Sequence, residues 1–443
     1  MPSDSMHPAT LRRRLRSLYP WAVWGSLAVL ILTIWAGLYA ITLMRLSKWE
    51  KTPEVVQAVG LSRAFDVLVG CWFFAVGSSI GSFLNVVAYR LPRRLPWIGS
   101  SMCPYCNVPI QPRDNIPVLG WIVLRGRCRA CRLPISARYP TYELLAGLTF
   151  LAIYLVEVWT RGANLPQEAG RTSDLFSMLV GTVDWETMAL GLFHCAILSV
   201  LLCVAMIQLS GQQVPIQMTL VGCALTILVS TCFPVLIVAP WGTSPQHVYH
   251  PVGHLDALAT GLAGALAGFA LGRFTQPALF PLAHPRWLSS HPASYEGLTW
   301  CCSWALIGSA VGWQGVFSTG LWSLPLLAIA EPKRRRARWE TPSWVPTAWL
   351  GTAMLIHLSL WSRTDRWSLW PGSRRHAVVY LASACLIGWG YWLCRVLQAT
   401  NPEAPSLGND DRNQSRSDPQ LPVAAVEGQA DQEEDLGESS GGG

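Results

Sequence analysis

Residues 188–209 read MALGLFHCAILSVLLCVAMIQL, and from Met188 to Leu209 there is no charged side chain. As a helix rising ~1.5 Å per residue, this run is long enough to cross a bilayer core, for which roughly 20 apolar residues are needed. Comparable apolar runs lie on either side of it, at 21–44, 65–88, 142–158, 218–238, 255–271, 298–313, 316–330, 345–360 and 377–397. Composition agrees: 51% of residues are hydrophobic and 13% charged, where a soluble domain carries about 25% charged residues. The 23 Trp suit a chain whose aromatic rings settle at membrane interfaces. A soluble enzyme is excluded. The expected fold is an all-α polytopic membrane protein with about ten transmembrane helices and a small cytoplasmic insert.

Charge sets the expected orientation. Arg12, Arg13, Arg14 and Arg16 precede the first apolar run, which is too long for a signal-peptide core. That run is expected to be an uncleaved anchor with its basic end inside. The basic cluster at 333–338 also falls inside if 298–330 is a hairpin broken near 315–320. The net charge of +7 hides an acidic end, since ten acidic residues follow Asn401 against Arg412 and Arg416. The basic surplus lies in loops beside helices, so nucleic-acid binding is not required to explain it. From 399 to 443 the chain has too few large apolar residues to offset the entropy of ordering, and a disordered tail is expected. The expected organisation is an anchor helix and linker (1–64), an N-terminal region (65–145) containing an insert (89–138), a membrane domain (146–330), C-terminal spans (331–398) and the tail (399–443). Both termini and the insert are placed in the cytoplasm.

The insert differs from its surroundings, with nine Arg, Asp114, several Pro and four Cys. Cys103-x2-Cys106 and Cys128-x2-Cys131 each present two thiolates on a tight turn, the donor set of a tetrahedral zinc site. With so few large apolar side chains, such an insert would draw most of its stability from the ion. Two disulfides or four free thiols are the alternatives, and a reducing cytoplasm disfavours the first. The other nine cysteines fall in apolar spans and are expected to pack as small hydrophobes.

Around these cysteines run Gly81-Ser82-Phe83-Leu84-Asn85-Val86-Val87, Tyr89-Arg90-Leu91-Pro92, Cys103-Pro104-Tyr105-Cys106 and Arg113-Asp114-Asn115-Ile116-Pro117. Gly120-Trp121, Arg125-Gly126-Arg127-Cys128, Cys131, Pro134-Ile135-Ser136, Arg138-Tyr139-Pro140 and Glu143-Leu144-Leu145 follow. In order and spacing this resembles the N-terminal region of the prepilin leader peptidase and N-methyltransferase family. The resemblance implies an inner-membrane enzyme that removes the basic leader of type IV prepilins or pseudopilins and methylates the new amine with S-adenosylmethionine. It also marks Gly81, Asn85, Arg90, Asp114, Asn115, Arg138, Tyr139 and Glu143 as functional or framework positions. Asp114 and Glu143 are the carboxylates available to a methylation site, and Glu143, at the start of a span where charge is costly, is the more suggestive. A salt bridge from Glu143 to Arg138 is the competing account.

The peptidase chemistry the resemblance implies needs two aspartates close enough to share one proton. Gln208 stands where the first is expected, in Ile207-Gln208-Leu209 ahead of Pro215. Trp300 stands where the second is expected, in Gly297-Leu298-Thr299-Trp300. An amide does not titrate near neutral pH and an indole only donates, so the peptidase half is expected to be inactive. Asp256 and Glu296 offer no evident pair. The alternative function is a non-catalytic membrane scaffold that binds pilin or secretion components through the basic insert. A transporter is disfavoured by the scarcity of charge inside the spans, where His194 and His357 are the main polar exceptions and are expected to be satisfied packing residues.

Overall fold

Helix-forming apolar sequence punctuated by Pro and Gly decides where each element begins and stops. A computed structural model describes residues 8–45, 51–96, 101–103, 105–166, 184–239, 252–279, 292–336, 346–371 and 377–399. Among them the chain is helical, with isolated bridges Met102 to Pro109 and Arg127 to Pro134 and no strand. The helices are α1 (Pro8–Arg45), α2 (Pro53–Arg90), α3 (Leu119–Val123), α4 (Arg138–Ile153), α5 (Trp185–Leu209), α6 (Ile216–Cys232), α7 (His254–Leu279), α8 (Pro292–Arg336), α9 (Pro346–Thr364) and α10 (Ala377–Ala399). α2 starts as its sequence dictates: Thr52 caps it by accepting from the Val55 N–H, and Pro53 occupies the first turn. α5 is capped by Asp184, which accepts from the Glu186 N–H at 3.1 Å.

Five helices are long and apolar enough to cross a membrane, over Gly25–Arg45, Pro53–Arg93, Arg138–Val158, Trp185–Leu209 and His254–Pro277. Ile216–Cys232 and Ala377–Leu393 are shorter apolar helices. The run at 218–238 was expected to continue as one span, but α6 stops at Cys232, ahead of Pro234. Proline disfavours helix at the residue before it and has no N–H to donate.

The expected hairpin in 298–330 is present, with its break at Gly312, slightly before the expected position. Gly312 has φ 74 and ψ 169, a conformation open to glycine. A Cβ placed on Gly308 would lie 2.9 Å from Val316 Cγ2. Eight residues along a straight helix would be about 12 Å apart, so the chain reverses. The basic cluster 333–338 has no described side chains, and the tail from 400 onward lies outside the described residues.

Glycines set the closest helix contacts. Gly264, Gly268 and Gly272 form a stripe at four-residue spacing on α7, and added Cβ atoms would meet Gly308 O at 1.9 Å, Trp304 O at 2.1 Å and Cys301 Cα at 2.7 Å. Small residues let helix backbones approach this closely in a bilayer. α2 and α4 pack the same way: Gly77 faces Phe150 and Ala146, Gly81 faces Ala146 and Glu143, and Gly147 faces Ser78. The principal core gathers Trp300, Trp304, Ile307, Val311, Leu350, Met354 and Tyr391. A second cluster joins Leu84 and Ala88 of α2 to Val204, Met206 and Ile207 of α5, which puts the α2 and α5 C-terminal ends on one side.

Candidate functional site

The insert is built on two matching turns. Cys103 N–H donates to Val108 O at 3.1 Å and Asn107 N–H to Cys103 O at 2.9 Å; Cys128 N–H donates to Leu133 O at 2.9 Å and Arg132 N–H to Cys128 O at 3.1 Å. Asn107 and Arg132 hold corresponding left-handed conformations, φ 53 and 62. The two bridges, Met102 to Pro109 and Arg127 to Pro134, also correspond. Cys103-x2-Cys106-Asn107-Val108-Pro109-Ile110 and Cys128-x2-Cys131-Arg132-Leu133-Pro134-Ile135 are therefore one motif used twice. The shared Pro-Ile that follows each pair was legible in the sequence and went unused there.

The turns bring the four Sγ atoms within 4.8 Å of one another, and Cys103 and Cys131 Sγ lie 3.8 Å apart. Zn–S bonds of about 2.3 Å in a tetrahedron give an S···S edge of about 3.8 Å, so the cluster can hold a metal ion and is compatible with zinc. All four cysteines are free of disulfide bonds. The backbone N–H groups of Cys131 and Ala130 hold the Cys128 thiol down at about 7. The Leu133 N–H acts in the same sense on Cys131, but burial and the neighbouring thiols Cys128, Cys106 and Cys103 outweigh it and push that thiol up to about 11.

The remaining insert residues lock the turns together. Asp114 takes two bonds from Arg129, at 2.6 Å from Nε and 2.5 Å from Nη2, which tie the turn Pro112–Asp114 to the second Cys pair. The guanidinium holds the Asp114 carboxyl below its ordinary range. Trp121 Nε1 donates to Ile135 O at 3.0 Å. A Cβ on Gly126, at φ 66, would strike that indole at 2.8 Å.

Glu143 lies where α2, α4 and the insert meet. Its carboxylate accepts from the Val118 N–H at 2.7 Å and from the Ser82 hydroxyl. These donors occupy it in place of the alternative Arg138 bridge. Val118 sits at φ 63 just before α3, so Glu143 anchors a turn in which a β-branched residue holds a positive φ. Asn85 Nδ2 donates to Tyr139 O at 3.3 Å, and Arg90 Nη1 to Pro96 O at 3.2 Å. Gly81, Asn85, Tyr139 and Glu143 thus meet at the α2–α4 junction, while Asp114 belongs to the cysteine turns.

Gln208 and Trp300 engage different neighbours. Gln208 Oε1 accepts from the Thr347 hydroxyl at the start of α9. Trp300 is buried, donates from Nε1 to Thr275 Oγ1 of α7 at 3.0 Å, and packs edge-on against Trp304 and Tyr391 at 5.9 and 6.1 Å. Reading the spans from sequence missed one polar pair. His194 Nδ1 lies 2.8 and 2.9 Å from the two Glu157 carboxylate oxygens, with both side chains at 0% exposure. His194 is thus not a solitary packing residue, and both His357 ring nitrogens are buried without a hydrogen-bond partner. The signal available was Glu157 itself, an acid inside an apolar run.

Residues 75–156 match the bacterial peptidase A24 N-terminal domain. The chain is similar to a prepilin leader peptidase/N-methyltransferase of Myxococcus xanthus, 44% identical over 97 residues, covering 22% of this chain and 29% of that protein. A Klebsiella pneumoniae protein of the same name is 37% identical over 134 residues, 28% of this chain and 57% of its own length. A type 4 prepilin-like proteins leader peptide-processing enzyme of Escherichia coli is 46% identical over 99 residues, 18% of this chain and 37% of its own. The chain thus spans less than two thirds of the length of these relatives. No solved structure matches it.

Proposed function

We propose a function from one premise: residues 75–156 place this chain in the prepilin leader peptidase/N-methyltransferase family. On this reading the protein binds or processes type IV prepilins or pseudopilins at the cytoplasmic face of the inner membrane, with an inactive aspartic peptidase half. The carrying observation is the chemistry at the two positions where the sequence reading expects the family's aspartates. Gln208 bonds to Thr347 and Trp300 fills a buried aromatic cluster, and neither side chain can activate water. Zinc in the four-cysteine cluster would hold the insert folded. S-adenosylmethionine is the proposed methyl donor, with Glu143 as the carboxylate at the methylation site and Asp114 as a framework residue. Ten spans with the insert and both termini inside complete the reading, which the charge distribution supports.

Incubating the purified protein with a prepilin tests it: no leader release is expected, and release at an ordinary enzymatic rate refutes the inactive half. A scaffold is the second reading. It is favoured by the structural employment of both carboxylates, Asp114 with Arg129 and Glu143 with Val118. Labelled S-adenosylmethionine separates the two, because methyl transfer lost in Glu143→Ala argues against a scaffold.

A further inference from the structure

The seam between α5 and α9 is antiparallel, and its contacts set a register. Gln208 meets Thr347 at one end, and a Cβ on Gly351 would lie 3.9 Å from Leu201 Cβ further along. Continuing that register brings position 194 opposite 357. Three polar side chains therefore gather inside the bundle: Glu157, His194 and His357, each at 0% exposure. Glu157 comes from a π-helical turn, Tyr154–Val158, that ends the helix begun by α4. Asn164 fastens this turn to α9 by donating from Nδ2 to Leu358 O at 2.7 Å and accepting from the Ser362 N–H at 2.7 Å.

The carboxylate is bonded, but the far side of the cluster is not. His194 Nε2 and both His357 ring nitrogens are buried without a hydrogen-bond partner, whereas roughly 90% or more of buried polar groups have one. A static ion pair joining Glu157 to His194 would need no second imidazole beside it. Charge balance points the same way. With one proton the Glu157–His194 pair is neutral, and without it a net negative charge is left buried, which is costly.

The surrounding groups do not change this balance. Cys195 adjoins the pair on α5. Asp66 and Arg63 pair with each other on α2 at 2.7 Å, and Arg161 acts on Asp66. Arg363 on α9 is exposed. The turn of α8 contributes Gly315, whose Cβ would lie 3.3 Å from His357 Nε2.

We propose that Glu157, His194 and His357 form an intramembrane proton-binding site in which one exchangeable proton resides on the Glu157–His194 pair and passes through a bridging water to His357. In the transfer the His194 Nε2–H bond breaks as the water takes that proton, and one of the water's own O–H bonds breaks as an N–H bond forms on His357, so the positive charge moves across the α5–α9 seam and the water is restored. Proton relays of acids and histidines inside membranes follow this pattern. The inference stands whether or not the prepilin reading does.

Infrared difference spectra of the full-length protein in lipid nanodiscs, taken across a pH step, test it. The expected result is a paired carboxyl and imidazole signal that disappears in Glu157→Gln and loses its imidazole part in His357→Phe. Histidine ring-nitrogen resonances of the unsubstituted protein, labelled at histidine, supply a second readout should a variant not fold; two of them should change together with pH. A signal unaltered by Glu157→Gln, or no pH-linked change in either measurement, overturns the proposal. So does a metal ion bound beyond that of the cysteine cluster and lost in His194→Gln.

Discussion

Glu143 shows how a single side chain can look catalytic and be structural at once. Its carboxylate satisfies the Val118 N–H in a positive-φ turn and the Ser82 hydroxyl, so Glu143→Ala orphans two donors. Each buried donor left unpaired costs about 1–3 kcal/mol. We expect Glu143→Ala to lower the melting temperature in detergent, and Glu143→Gln, which keeps an acceptor oxygen, to restore most of the loss. Methyl transfer that fails in both variants would locate chemistry at the carboxylate; failure in Glu143→Ala alone would locate only support. Asp114 makes a separate prediction. The Arg129 guanidinium lowers its folded-state pKa, so the pair's stabilisation is full above the ordinary carboxylate pKa of about 3.9 and is lost as pH falls through the lower folded value. Because Arg129 is exposed, its worth is about 1 kcal/mol or less. At neutral pH, protease nicking of the insert should be modestly faster in Asp114→Asn than in the unsubstituted protein, by no more than the few-fold that about 1 kcal/mol allows.

The duplicated cysteine turn makes a stronger claim at the level of the element. Neither half carries a buried apolar core; among the insert's apolar residues Tyr105, Val108, Ile110 and Leu133 are exposed. Metal binding would therefore supply most of the folding free energy. Cys106→Ser or Cys131→Ser should abolish stoichiometric zinc, read by elemental analysis, and should open the insert to protease while the membrane helices stay intact. The α7–α8 contact rests instead on missing side chains. Gly268 leaves no room for a Cβ against Trp304 O, so Gly268→Leu should destabilise by at least the 1–3 kcal/mol of ordinary overpacking, measurable as lost helicity on mild heating in detergent. That four-residue glycine stripe was present in the sequence, but only its packing partner, Gly308 to Cys301, tells which face it serves.

Across the whole molecule, Gln208 and Trp300, the two positions proposed to replace the peptidase aspartates, sit in unlike settings. Gln208 lies near the α9 entrance and Trp300 is at 1% exposure within an aromatic core. Restoring Asp at both should not restore leader cleavage. Gln208→Asp shortens a half-buried side chain by one methylene and should be tolerated, whereas Trp300→Asp removes a large core side chain, about 3–5 kcal/mol, and buries a carboxyl as well. A prepilin cleavage assay on the doubly substituted protein checks this, and recovered cleavage would show that the two positions still form a working site. The membrane-spanning character and the cysteine donor set were legible because both depend on local composition: a long uncharged run suits only a bilayer, and paired cysteines on tight turns point to a metal. The partner of Glu143 and the Glu157–His194 pair were not, because each depends on residues far apart in sequence that helix packing brings within a few ångströms. Sequence by itself determined that the chain folds into long apolar helices and which thiols can meet; the tertiary structure alone decided which polar groups meet between helices, since an isolated helix does not fix which of its faces will be covered.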